Sequence, residues 1–256
     1  MVITHWNEGS SKTIILFSGY MFGGWTYKRL APYLSDYHIV VVSALGAGAS
    51  QVEGSSHFYA VEYIEKYLSA RSINRFVLLG HSMGGFVAQL FASRYPERVT
   101  KLILAGTCCP FDFLKSHRSQ SLSLLNYLFQ LDFEGFFKMT TFSIFNERFL
   151  SSETNLCELR GDFYMDMPRE RACAEQLRAT DDLICWMNEN ELAVTSKTLI
   201  LIGRDDKVVE PEWSLDLARK ISNCDCIILE NAGHMMMYEN PSETYEVIGA
   251  WLAGRG

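Results

Sequence analysis

A chain of 256 residues with 48% hydrophobic side chains is long enough to bury a large core, as one α/β domain with an insertion or as two small domains. With 30 acidic against 23 basic residues the net charge is −7 and no basic block is present, which excludes a nucleic-acid footprint and works mildly against an acidic protein partner. Residues 1–8 lack the charged and apolar regions of a signal peptide, no apolar run approaches a membrane span, and the seven scattered cysteines show neither metal spacing nor a secreted framework. The expectation is a cytoplasmic protein with free, mostly buried thiols, Cys224 and Cys226 packing on one face of a strand.

In chain order, residues 2–6 read as a short strand that could form a hairpin with the next one across Asn7-Glu8-Gly9-Ser10. Further strands are expected at residues 13–17, 39–42, 75–79, 99–104, 198–202 and 226–229, each a near-continuous apolar run. Runs of that kind, rather than alternating ones, belong to a sheet covered on both faces. Helical patterns fall at residues 25–34, 59–71, 85–95, 211–221 and 242–252. Strand–helix alternation means βαβ units and a mainly parallel sheet with right-handed crossovers.

From about residue 110 to 182 the rhythm breaks. No clean buried strand occurs there, apolar residues recur at helical spacing, and ten of the sixteen phenylalanines are concentrated in it. A stretch this long cannot be structureless inside a compact domain. It is expected to be a helical cap over the sheet's C-terminal edge, with residues 1–109 and 183–256 forming the core. Most of the phenylalanines should build the cap's own core and a few should wall an apolar pocket.

Gly80-His81-Ser82-Met83-Gly84 lies between the run ending at Leu79 and the helical stretch from Gly85. A serine at the tip of a sharp strand-to-helix turn needs small neighbours, and this context is that of a nucleophile elbow. The helix N-terminus adds backbone N–H groups where an anion would develop. Serine is a poor nucleophile without a base. Of six histidines only His234 stands in a loop after a late strand and ahead of the last helix. The segment Gly203-Arg204-Asp205-Asp206 follows the strand at 198–202 and supplies a carboxylate to fix the base's tautomer. His81 is expected to turn away and hydrogen-bond the sheet. Gly46-Ala47-Gly48 lacks the rest of a phosphate-loop pattern, and no His/Asp/Glu group shows ligand spacing, so neither cofactor nor metal is expected.

These motifs in this order resemble the α/β-hydrolase superfamily along nearly the whole chain. The resemblance implies a Ser-His-Asp triad. It places the acid at the fourth position of Gly203-Arg204-Asp205-Asp206, which selects Asp206 with Asp205 as the alternative. Gly233-His234, Glu239-Asn240-Pro241 and the turn Arg94-Tyr95-Pro96-Glu97-Arg98-Val99 match further family patterns. One oxyanion amide falls to Met83, after the serine. The second falls to Tyr20, where Ser18-Gly19 replaces the family's His-Gly and puts that loop's supporting hydrogen bonds in question. In Ser43-Ala44-Leu45-Gly46-Ala47-Gly48-Ala49-Ser50 the family's acid is missing, and the loop is expected to be structural.

The function expected is a serine carboxylic-ester hydrolase acting on a small or medium apolar acyl ester, free or carried on a carrier protein, with no nucleic-acid or membrane partner. The entrance Ala105-Gly106-Thr107-Cys108-Cys109-Pro110-Phe111 is similar to that of pimeloyl-carrier-protein methyl ester esterases. An arginine cluster among Arg148, Arg160, Arg169, Arg171 and Arg178 would suit that role. A triad-dependent lyase or carbon–carbon hydrolase, and a ligand receptor on the same scaffold, are the alternatives. Epoxide hydrolases and dehalogenases of the fold use an aspartate where this chain has Ser82.

Overall fold

The apolar runs form β1 (Ile3–Trp6), β2 (Lys12–Phe17), β3 (Tyr37–Val42), β4 (Phe76–His81), β5 (Val99–Ala105), β6 (Thr198–Gly203) and β7 (Cys224–Leu229). In this computed structural model, which describes residues 1–47, 56–111 and 123–254, they make one sheet in the order β1-β3-β2-β4-β5-β6-β7. All pairings are parallel except that of β1. The helices are α1 (His57–Ser69), α2 (Met83–Arg94), α3 (Phe133–Ile144), α4 (Glu147–Leu150), α5 (Glu153–Met165), α6 (Glu170–Met187), α7 (Pro211–Lys220), α8 (Met236–Glu239) and α9 (Pro241–Leu252). Residues 123–128 are also helical. The α/β class and the mainly parallel sheet are those expected.

Side chains alternate across each strand. Ile15, Val40, Leu78, Leu102 and Ile200 face α1, α2 and α7. Ile14, Val41, Leu79, Ile103 and Leu201 face the other side, under Tyr27, Ile248 and Trp251. Each fully buried side chain of this size contributes about 1.5–3 kcal/mol, so a one-residue slip in any central strand is heavily disfavoured. β2 runs to β3 on one side and lies beside β4 on the other. The loops leaving β2 and β4 therefore diverge and open a crevice at the sheet's C-terminal edge.

Three local expectations change. β1 does not form a hairpin with β2: it pairs antiparallel with β3, with Ile3 opposite Val42 and Trp6 opposite Ile39. Both edges of β2 are taken by β3 and β4, which leaves β1 the free edge of β3. The helix expected at 25–34 is two 3-10 turns, Gly24–Tyr27 and Ala31–Leu34, because Pro32 has no N–H to continue a helix from the preceding turn. The thiols are all free, but only Cys108 and Cys173 are buried. Cys226 is exposed on β7, the edge strand, and Cys157 and Cys185 lie on solvent faces of α5 and α6.

Between β5 and β6 the described chain is helical and carries its own core. Phe136, Phe137, Phe145, Phe149 and Phe163 are buried together with Met21, Phe22 and Tyr238 from the sheet side. α3, α4 and α5 are started by Asp132, Asn146 and Ser152, whose side chains accept backbone N–H groups of the first turn. α6 runs past residue 182 to Met187, and its Leu183 belongs to the main core. Phe113 and His117 lie outside the described residues, as do Gly48, Ala49 and Ser50. No helix among the described residues is long and apolar enough to cross a membrane.

Candidate active site

β4 ends at His81 and α2 begins at Met83, so Ser82 makes the whole turn alone. Its φ of 53° lies in the left-handed region, at a cost of about 1–3 kcal/mol that the surroundings must hold in place. Its N–H donates to the Ala105 carbonyl at 3.0 Å, and its carbonyl accepts from Gly85 N–H at 2.8 Å and Thr107 Oγ1 at 2.7 Å. The turn has no room for side chains at its flanks. A Cβ on Gly80 would sit 2.5 Å from the Gly84 carbonyl oxygen, and one on Gly84 would sit 2.3 Å from that of Phe17.

His234, in the loop after β7, hydrogen-bonds Asp206 through Nδ1 at 2.8 Å. Asp206 is buried, and its other oxygen accepts the N–H groups of Val208 and Val209, each at 2.9 Å. An ionised carboxylate only accepts, so Nδ1 carries the proton and Nε2 keeps its lone pair. Asp205, the alternative, is exposed. His81 does not bond the sheet. Its Nε2 donates to the carbonyl of His234 at 2.8 Å, and burial, reinforced by the His234 ring, pushes its pKa down to about 3. It is a neutral strut between the elbow and the loop of His234.

Glu239 is a second strut that the sequence marked only as a motif letter. Its carboxylate accepts N–H groups from Gly233 and Met235 at 2.9 Å and from Asn146 at 3.2 Å. One partly buried carboxylate thus ties both flanks of His234 to the start of α4. Burial lifts its pKa to about 7 against the pull of those donors.

Ser82, His234, Tyr20 and Met83 all line one cavity of about 340 Å³. Met83 is the first residue of α2, so its N–H has no partner within the helix. Tyr20 stands in the loop after β2, beside Met21, whose φ is 74°. Ser18, in the position that departs from the family, donates its hydroxyl to the Gly23 carbonyl at 3.1 Å and its N–H to the Val42 carbonyl at 3.0 Å. In the loop after β3, Ser43 Oγ accepts Gly24 N–H at 3.1 Å, a structural use. The inserted helices supply Leu125, Leu128, Met139, Ile144 and Leu177 to the wall. No described phenylalanine of the insertion lines the cavity: most turn inward to their own core, Phe111 and Phe142 are exposed, and the insertion's share of the wall is aliphatic, while the sheet side contributes Tyr20, Phe22 and Phe86.

Three of the arginines considered for an acidic carrier already have partners. Arg160 pairs with Glu134, and Arg178 with Glu175 and Asp182. Arg169 donates to the Gly46 carbonyl at 2.6 Å. Far from the cavity, folding gathers His5, Glu8 and His38 with ligand atoms within 4.8 Å of one another. His5 Nδ1 and His38 Nε2 are 2.7 Å apart. Two nitrogens on one tetrahedral ion with bonds near 2.0–2.1 Å would stand roughly 3.4 Å apart, so a shared proton accounts for this contact.

A family model described as the alpha/beta hydrolase fold matches residues 12–241, and the chain belongs to that family. It is 27% identical over 256 residues to 2-hydroxy-6-oxo-6-phenylhexa-2,4-dienoate hydrolase of Comamonas testosteroni, covering 94% of this chain and 88% of the relative. To epoxide hydrolase 4 of Homo sapiens it is 24% identical over 266 residues, covering 96% and 73%. The solved esterase of Exiguobacterium antarcticum shares the fold at a TM-score of 0.80 and 18% identity, over 98% of this chain and 94% of that one. By class the protein is a hydrolase of this fold.

Proposed function

We propose that the protein is a serine carboxylic-ester hydrolase working through an acyl-enzyme. One observation carries the reading. The His234 ring is fixed at 2.8 Å on Asp206, on the same cavity as Ser82 in its strained turn. With Nδ1–H committed to Asp206, His234 Nε2 takes the Ser82 proton as Oγ attacks the acyl carbon. The tetrahedral oxyanion is held by the N–H groups of Tyr20 and Met83. His234 then protonates the leaving alcohol, activates a water against the acyl-enzyme and returns Ser82 to its starting state. The largely apolar wall and a volume of about 340 Å³ favour a small or medium apolar acyl group.

Turnover of p-nitrophenyl esters and matched thioesters over a range of acyl lengths, with Ser82→Ala as control, is the test. The variant should stay folded, lose at least about 10³-fold in rate and escape fluorophosphonate labelling. Near-wild-type rates in Ser82→Ala would remove the serine from the mechanism. Saturable ligand binding by the wild type without turnover would instead make it a receptor.

A carbon–carbon bond hydrolase is the second reading, favoured by the Comamonas testosteroni relative. Against it, the lysine on the cavity wall, Lys207, is half exposed and lies 3.6 Å from Glu147, a weak seat for a substrate carboxylate. Cleavage of a 2-hydroxy-6-oxo-dienoate with no turnover of simple esters would decide for that chemistry. Docking of an acyl-carrier protein is disfavoured by the acid-paired Arg160 and Arg178. Growth rescue of a strain lacking the pimeloyl ester esterase tests it.

A further inference from the structure

The loop that presents the Tyr20 amide is held from outside, by the inserted helices. Gln176 on α6 is fully buried. Its Oε1 accepts the Met21 N–H at 2.9 Å, and its Nε2 donates to the Leu45 carbonyl at 2.5 Å. Asp166, just after α5, accepts the Gly23 N–H at 2.9 Å. Tyr20 Oη donates to the Cys173 carbonyl of α6 at 3.3 Å. Inside the loop, the Ser18 hydroxyl reaches only the Gly23 carbonyl. Met21 has a side chain at φ 74°, a conformation that persists only where its surroundings over-determine it. The bond from Gln176 meets the peptide joining Tyr20 to Met21, next to the Tyr20 N–H. The same helix sends Leu177 and Thr180 into the cavity wall.

We propose that Gln176 is a positioning residue that sets the oxyanion amide of Tyr20, so that the hole is complete only when α6 is docked on the loop after β2. The proposal rests on the ester-hydrolase reading above. Without the Gln176 acceptor, the Met21 N–H is left buried and unpaired, and the peptide relaxes from its strained state. An oxyanion donor removed outright costs 10²–10³ in kcat. A donor displaced by a fraction of an ångström should therefore cost about 10–100-fold. The loss falls on kcat, because the amide acts on the tetrahedral intermediate more than on bound ester.

The experiment compares wild type, Gln176→Leu, Gln176→Glu and Asp166→Ala on one p-nitrophenyl ester, with inhibition by a trifluoromethyl ketone matched to its acyl group. Gln176→Leu should lower kcat at least about tenfold with KM within about threefold. It should weaken the ketone, which forms a tetrahedral adduct, by the same factor. In Gln176→Glu a protonated carboxyl reproduces both bonds, accepting from Met21 and donating to Leu45, whereas the ionised one cannot donate. The ratio of its kcat to that of wild type should therefore rise as pH falls from about 8 to 6. Asp166→Ala should show a smaller loss of kcat with the same pattern. Unchanged kcat in Gln176→Leu, or a loss confined to KM, overturns the proposal. If that variant does not fold, a pH-independent ratio for Gln176→Glu together with wild-type kcat in Asp166→Ala overturns it. A wild type without ester turnover, or an active Ser82→Ala, defeats the ester-hydrolase reading instead, which keeps the two failures apart.

Discussion

Glu239 offers a quantitative test of how the loop of His234 is held. Its pKa rises from the ordinary 4.5 to about 7 because burial outweighs the three N–H donors around it. The unfolded chain releases this proton near 4.5, and the folded protein keeps it until about 7. Between those values the folded state binds more protons, so stability falls as pH rises. The contribution of Glu239 is fully present below about pH 4.5 and gone above about pH 7. At 1.36 kcal/mol per unit over roughly 2.5 units, the swing is on the order of 3 kcal/mol. Glu239→Gln cannot titrate. Its unfolding free energy minus that of wild type should therefore climb by this amount from about pH 4.5 to 7 and then level off. The absolute offset is expected to be negative, since an amide has one accepting end for three donors, but only the slope is diagnostic. Urea unfolding of both proteins in one buffer series measures it. A difference flat to within about 0.5 kcal/mol over that range would refute this account of Glu239.

The buried histidines act in the opposite sense. Burial lowers the pKa of His57 to about 4 from 6.5, so acid takes stability away as pH falls between those values, and His57→Gln should lose on the order of 3 kcal/mol less than wild type in that window. Asp206→Asn should keep the fold and lower kcat by about 10⁴, because the amide no longer holds Nδ1–H toward itself, as steady-state kinetics and circular dichroism will show. Gly84→Ala places a Cβ 2.3 Å from the Phe17 carbonyl oxygen, a backbone clash, and should cost about 3 kcal/mol or more by denaturant melts along with turnover. Gly161→Ala on α5, where a Cβ meets nothing within 4 Å, should stabilise by about 0.5–1 kcal/mol.

What the sequence made legible is local. β4 and β6 are buried at every position, so hydrophobicity alone outlined them. The elbow is five consecutive residues whose small members follow from contacts inside one turn. His234 and Asp206 each follow a strand, and their order along the chain carried the inference. Partner choice was not legible in the same way. β1 pairs with β3 because β2 has no free edge, a property of the assembled sheet. Gln176 and Met21 are 155 residues apart; helical spacing puts Gln176 in the same stripe as Ala172, Cys173, Ala179 and Leu183, but it does not name the backbone groups that the amide meets. The described phenylalanines of the insertion misled about the pocket for a related reason: composition counts rings, and does not say which side of a helix each one takes.

Three polar side chains, the buried His81 and Gln176 and the partly buried Glu239, take no part in the proposed proton transfers, yet each joins two segments that the sheet leaves independent. His81 links the elbow to the carbonyl of His234, and Glu239 links both flanks of His234 to α4. Gln176 links α6 to the loops after β2 and β3. Apolar residues in their places would avoid the cost of burying polar groups, but would leave backbone N–H and C=O groups of these loops unpaired. Loops built this way have little freedom to relax one at a time. Disturbing one strut should therefore change the geometry of the neighbouring loops as well. Double replacements among the three are expected to depart from additivity by about 0.5–3 kcal/mol, the range for residues in one network.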